Sequence, residues 1–152
     1  MAASSPSTIH ASAVLVGARA VLIRGPAGSG KSRLALDLIE AAAAGRVRFA
    51  RLVVDDRAEF EPRHGRLLVR PPAAIAGLIE IRGLGIRRLP FEPVAVVGTI
   101  VDLAAGDAQR LPLPGACEAV IEGIRLPRLA VAAGLDPLPL VLAAISLPDP
   151  GL

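Results

Sequence analysis

Gly25-Pro26-Ala27-Gly28-Ser29-Gly30-Lys31-Ser32 matches every fixed position of G-x-x-x-x-G-K-[ST], the Walker A phosphate-binding loop (P-loop) pattern. The residue types follow from the chemistry of holding a polyphosphate. Glycines let the backbone turn so that successive N–H groups point at anionic oxygens, and the helix that follows presents its partly positive end to the same anion. Lys31 adds a compact, mobile charge for the terminal phosphates, where a planar guanidinium fits poorly. The Ser32 hydroxyl is of the type that binds Mg²⁺. Shuffling this composition would give the pattern in roughly 5 of 10,000 chains.

Composition sharpens the point. Of the 17 basic residues, 16 are arginine and one is lysine, and the chain has no Asn or Tyr. A lone lysine in so arginine-rich a background stands where arginine would not serve. The context also fits, since an apolar run over 20–23 reads as a buried strand before the loop. A stretch over 32–44 then reads as a helix with Leu34, Leu38, Ala41 and Ala42 on one side and Gly45 as its stop.

Outward from the loop, 9–16 alternates as a strand, Gly17-Ala18 is a tight turn, and 52–54 is a second buried strand ending at Asp55-Asp56. Two short extended pieces are expected within 60–69 around a turn at 62–65, followed by strands at 78–81, 94–101 and 119–126. A last helix over 137–145 carries proline in its first turn. Alternating strands and helices around a strand–loop–helix motif give an α/β fold. The expected organisation is one catalytic domain over 8–152, with 1–7 disordered.

Asp55 and Asp56 close a β-branched strand, where the metal-handling carboxylate of many nucleotide enzymes stands, and adjacent residues at a strand end face different sides. Glu80 and Arg82 share a face of the strand segment Glu80-Ile81-Arg82 by alternation, at the mouth of Gly83-Leu84-Gly85. His10 reads as a hydrogen-bonded strand residue, His64 as a surface turn residue, and Cys117 as a small semi-buried one. Arg87, Arg88 and Arg110 are available to an acidic ligand or partner.

Several functional classes drop out. With 152 residues, a net charge of +3 and cations spread along the chain, beside three Phe and no Trp, the chain lacks the basic stripe and stacking platforms of a nucleic-acid binder. No apolar run approaches the ~18 residues of a spanning helix, although mean hydropathy is +0.56. No basic segment leads into an apolar one near Met1, so no secretory signal is expected. One cysteine makes no internal disulfide, which suits a reducing cytoplasm.

The order His10, then 25–32, then Leu52-Val53-Val54-Asp55-Asp56, then Glu80-Ile81-Arg82-Gly83-Leu84-Gly85-Ile86 resembles the catalytic domain of the HPr kinase/phosphorylase family. The likeness is greatest to its short alphaproteobacterial-type form, which lacks an extra N-terminal domain, and it runs from about residue 8 to about 129. The resemblance implies a serine kinase, dependent on ATP and Mg²⁺, that phosphorylates the phosphocarrier HPr of the phosphotransferase system. It also implies a mixed sheet with flanking helices like that of phosphoenolpyruvate carboxykinase, and a homohexamer.

Carried over by position, the resemblance makes Asp55 the general base and Lys31 the loop lysine. Ser32 and Glu80 become Mg²⁺ positions, joined by Asp56 from the strand-end reading. His10 falls near the phosphates, Arg82 in the loop tied to both reaction directions, and Arg110 at the catalytic arginine. Two departures touch the site: Ala27 replaces a serine, and Ala132-Ala133-Gly134-Leu135-Asp136-Pro137 stands where relatives carry arginines for dephosphorylation. The implied activity is therefore the kinase direction, without phosphorolysis. A small-molecule kinase or NTPase, and a nucleotide-sensing subunit, are alternatives on the same loop.

Overall fold

The computed structural model describes residues 7–148 and 150. Of the stretch expected to be disordered, 1–6 lies outside the described residues, and Ser7 opens the first strand. β1 (Ser7–Val16) and β2 (Arg19–Arg24) form an antiparallel pair across the Gly17-Ala18 turn. The glycine-rich loop leads into α1 (Lys31–Ala43), which is followed by β3 (Ala50–Val54), β4 (Arg57–Arg63) and β5 (Arg66–Arg70). Next come β6 (Leu78–Ile81), β7 (Gly85–Arg88), β8 (Ala95–Asp102), β9 (Glu118–Ile121), β10 (Ile124–Ala130) and α2 (Pro137–Ser146).

The main sheet runs β2-β1-β4-β5-β8-β10-β9, with β3 on β1 and a further pairing of β2 with β8 that closes the path. β2 and β3 are each antiparallel to β1 and hence parallel to one another, while β8 is parallel to both β2 and β10. Four strands therefore end at one carboxyl edge, the place where open α/β sheets gather their ligands. The loop follows β2, Asp55 follows β3, Asp102 ends β8, and Val131 follows β10.

Alternation divides the apolar residues between two cores. Leu22 points with Ala13, Val53, Phe60, Leu67, Val69 and Ile100 into one cluster. Its neighbours Val21 and Ile23 point with Val14, Leu52 and Val101 into a second cluster, against Leu34, Ala35 and Leu38 of α1 and Val141 of α2. Leu22, Ile23, Leu34 and Leu38 are fully buried, each worth about 1.5–3 kcal/mol of transfer free energy. That packing holds α1 under the sheet edge, so the loop between β2 and α1 has fixed ends.

Helix caps follow the chemistry of the ends. α1 stops where the Gly45 N–H donates to Ala42 O and the Arg46 N–H to Ala41 O, a closure that Gly45 permits at φ 77°. α2 starts with the Asp136 carboxylate accepting the Leu138 N–H at 3.1 Å.

Two expectations need correction. The stretch 119–126 is not one strand. Glu122 (φ 50°) and Gly123 (φ 76°) fold it into a hairpin, the paired positive φ values of a two-residue turn. Gly85 of the stretch 83–85 already opens β7, a strand absent from the sequence reading, so that β6 and β7 make a separate two-stranded ribbon. All of β7 is exposed, and Gly-Ile-Arg-Arg carries no apolar alternation to betray a strand.

Candidate active site

At the loop, Gly28 and Gly30 take φ values of 79° and 100°, open to glycine and strained for other residues. Gly30 caps α1 without any side-chain bond, and no acidic residue occupies the first helical turn. The helix N–H groups are thus left for an anion from outside the chain. Gly25 is needed for space: a Cβ there would lie 2.5 Å from Ser29 Oγ and 3.1 Å from Leu103 Cβ. Lys31 is buried, its ammonium donating to Gly25 O at 2.9 Å and Pro26 O at 3.2 Å. Ser29 Oγ is buried with no partner.

Asp55 stands beside the start of α1 and is 5% exposed. Its Oδ1 accepts from Ser32 Oγ at 2.7 Å and from Ser12 Oγ at 2.8 Å, and its Oδ2 accepts the Glu80 N–H at 3.1 Å. Three donors occupy most of the roughly four lone-pair sites of a carboxylate and leave room for one more hydroxyl. Ser12, fully buried in β1, also accepts the Asp56 N–H at 3.1 Å. One hydroxyl therefore fixes both aspartates. The only signal for it in the sequence is a polar residue inside Ala11-Ser12-Ala13.

Asp56 turns the other way, at φ 70°, with its carboxylate 3.4 Å from His10 Nδ1. Both side chains are largely exposed, so His10 is a rim residue and not one enclosed by apolar neighbours. Glu80 gives its backbone to Asp55 and its side chain to solvent. Arg82 lies in the turn after β6, where its guanidinium is 3.7 Å from the position of a Cβ on Gly28. The ribbon thereby brings a cation over the loop. Its seat is Ile79, 1% exposed in the α1 core.

Arg110 is not joined to this group by any hydrogen bond among the described residues, and it lies exposed in the connection between β8 and β9. His64 occupies an exposed turn at φ 51°, and the Cys117 thiol faces Leu113 O at 3.5 Å. Among the described residues no three His, Cys, Asp or Glu side chains converge as a metal cluster.

A charged network absent from the sequence reading lies under the other flank. Arg24, the residue before Gly25, grips Asp102 with Nε at 2.7 Å from Oδ1 and Nη2 at 2.8 Å from Oδ2. Arg128 Nε reaches the same carboxylate at 2.5 Å, while its other nitrogens bond Asp107 at 2.8 and 3.0 Å and Ala116 O at 2.9 Å. Burial pushes the Asp102 carboxyl up, but the hydrogen bonds and charges of Arg24 and Arg128 outweigh it and hold the group below its ordinary value. The Asp107 hydrogen bond leads the causes that raise the Arg128 guanidinium. Arg128 thus anchors both ends of the segment that carries Arg110.

Comparison with known proteins now bears on this geometry. The family model described as "HPr Serine kinase C-terminal domain" matches residues 2–90. The HPr kinase/phosphorylase of Clostridium beijerinckii is 40% identical over 83 residues, 54% of this chain and 25% of that protein. That of Halalkalibacterium halodurans is 44% identical over 84 residues, again 54% and 25%. The match thus spans about a quarter of the length of these relatives. The solved "Hpr(Ser) kinase/phosphatase from Coxiella burnetii" superposes with a TM-score of 0.71 at 27% identity, covering 91% of this chain and 93% of that one. Its α/β fold, strand–loop–helix site and matched sequence make this chain a member of the HPr serine kinase C-terminal domain family.

Proposed function

We propose that this chain is the catalytic domain of a serine kinase that moves the γ-phosphoryl group of ATP onto HPr, the protein named in its relatives. The observation that carries the reading is the 2.7 Å contact between Ser32 Oγ, at the loop end, and Asp55 Oδ1, which joins a phosphate cradle to a buried carboxylate. The 25–32 loop is the Walker A element, with its N–H groups and Lys31 drawing charge off the γ-phosphate. Asp55 orients the acceptor hydroxyl and takes its proton as the serine oxygen bonds to phosphorus and the bond to the β-phosphate oxygen breaks. Arg82, Arg110 and His10 supply further positive or hydrogen-bonding groups around the transferring phosphate.

A hard divalent cation fits the oxygen donors present. Ser32 Oγ would hold Mg²⁺, the phosphates would complete its shell, and the exposed Asp56 and Glu80 carboxylates would reach it through its bound waters. When bound, it supplies charge neutralisation of the polyphosphate. The segment 132–137, which has no arginine, supports the kinase direction without phosphorolysis. Exposed Leu111, Leu113 and Val120 offer apolar surface for a homo-oligomer, a hexamer by family resemblance, in the cytoplasm.

Incubation with ATP, Mg²⁺ and HPr should give phosphoserine on HPr, detected by intact mass. Asp55→Asn should lower that rate by about 10²- to 10⁴-fold while nucleotide affinity stays within about threefold. No transfer at saturating nucleotide would remove the proposal.

A further inference from the structure

Beyond Arg128 the sequence has no basic residue, although the chain holds 17. The helix in that region, α2, has no charged or amide side chain at all. A helix that is apolar on every side belongs inside a fold, yet only Val141 of α2 is buried. Leu138, Val141, Leu142 and Ile145 form the i, i+3, i+4, i+7 stripe that packs on the cluster around α1. Leu140, Ala143, Ala144 and Leu147 repeat that spacing and are exposed, Leu147 by 67%. One stripe is docked and the other is bare.

The bare stripe reads the same in both directions. Its exposed residues run Pro139, Leu140, Ala143, Ala144, Leu147, Pro148. A second α2 laid antiparallel therefore sets leucine against leucine at the ends and alanine against alanine at the centre, where small side chains let the helix axes come close. That is the self-complementarity of a twofold contact, in which one patch faces its own copy.

Charge agrees with this pairing. By alternation Arg19 lies on the same face of β2 as Val21 and Ile23, which pack toward α1 and α2. Its stem rests on Gly98, where a Cβ would lie 2.7 Å from Arg19 Cβ. A cavity of about 300 Å³ joins Arg19 to Ala144 and Ile145 of the last turn of α2. Arg19 is exposed and has no ion-pair partner among the described residues. Antiparallel packing brings to this end the first turn of the other α2, which is capped by the exposed carboxylate of Asp136. The twofold axis makes the same match twice.

We infer that α2 pairs antiparallel with α2 of a second copy of this chain, through Leu140, Ala143, Ala144 and Leu147, with Arg19 of each copy meeting Asp136 of the other. The inference rests on the homo-oligomer reading above and deepens it, on a surface distinct from that of Leu111, Leu113 and Val120. A ten-residue helix is about 15 Å long, so the helix pair alone falls below the roughly 1,000 Å² of a stable interface. The contact is accordingly weak and forms at micromolar concentration or above.

The test is sedimentation velocity on the full chain from about 1 μM to about 1 mM, the range in which so small a contact assembles. Ala144→Glu changes an exposed position to another good helix former and should halve the mass of the assembly, because a twofold contact joins copies in pairs. Arg19→Glu should raise the dissociation constant about tenfold, and Val120→Lys should leave the α2 pair in place. Circular dichroism at low concentration should be the same for all variants. If Ala144→Glu disturbs the fold, Arg19→Glu carries the test, and an unchanged dissociation constant overturns the inference. Association that survives Ala144→Glu in full, or that Val120→Lys alone abolishes, overturns the α2 contact and leaves the homo-oligomer reading standing. An unmodified chain that stays monomeric throughout removes both.

Discussion

The two flanks of the glycine-rich loop are built from opposite materials. On the β3 side, a buried carboxylate is fixed by two serine hydroxyls and a backbone N–H. On the β10 side, a neutral cavity of small residues rests on a lattice of two arginines and two aspartates. On the proposed reading, the first flank carries the chemistry. In the second, the charges hold backbone in place.

The sharpest way to break this contrast is Arg128→Met, which keeps the side-chain length and removes the cation. Asp102 keeps its two bonds from Arg24, while Ala116 O loses a donor. Asp107 also loses both its bonds, but it is half-exposed and that pair adds little, so the loss should be at least about 2 kcal/mol, the worth of one hydrogen bond to a charged group. The melting temperature should then fall by about 4–8 °C. If the segment around Arg110 serves the donor flank, KM for nucleotide should rise more than kcat falls. An unchanged melting temperature would show that the network is ornamental.

Ser12→Ala strikes the first flank instead. Asp55 keeps two of its three donors but loses the hydroxyl that ties it to the Asp56 backbone. We expect kcat to drop about tenfold, with KM for nucleotide little changed, and stability to fall by about 1 kcal/mol. Ser12→Thr, which restores the hydroxyl, should recover most of the rate. Equal rates for Ala and Thr at this position would mean that Asp55 needs no fixing.

How legible each flank was follows from the same contrast. The loop, Asp55 and the 78–81 strand announce themselves because a fixed backbone shape demands glycine, lysine and carboxylate at set spacings, and these survive in a single sequence. Lys31 stood out further by being the one lysine. The Arg24–Asp102–Arg128 lattice left no such mark. Its members lie 78 and 26 residues apart in sequence, among arginines whose default place is the surface. Only the parallel pairing of β2, β8 and β10 brings them together. β7 and the β9–β10 hairpin escaped for a local reason: short, exposed strands lack apolar alternation, so turn glycines were the sole cue.

Acid offers a milder probe of the second flank. The Asp102 carboxyl is held below its ordinary value of 3.8, so the folded state binds fewer protons there than the unfolded chain. Its contribution is complete above about pH 4 and is lost as pH falls through the lowered value. Melting temperatures measured from pH 6 to pH 2.5 should fall below pH 4, and Asp102→Asn should flatten the part of that fall due to this group. Parallel profiles for the two proteins would show that Asp102 gains nothing from its arginines.

The smallest expected effect separates the flanks most finely. In the ligand-free chain Ser29 Oγ is buried without a partner, and such a group costs about 1 kcal/mol or more. Ser29→Ala should therefore raise the melting temperature of the free protein by about 2–4 °C. If nucleotide gives that hydroxyl its missing bond, the variant should bind nucleotide several-fold more weakly, and the stabilisation added by saturating nucleotide should shrink by a matching amount. A rise of equal size with and without nucleotide would mean that the hydroxyl stays unpaired in both states.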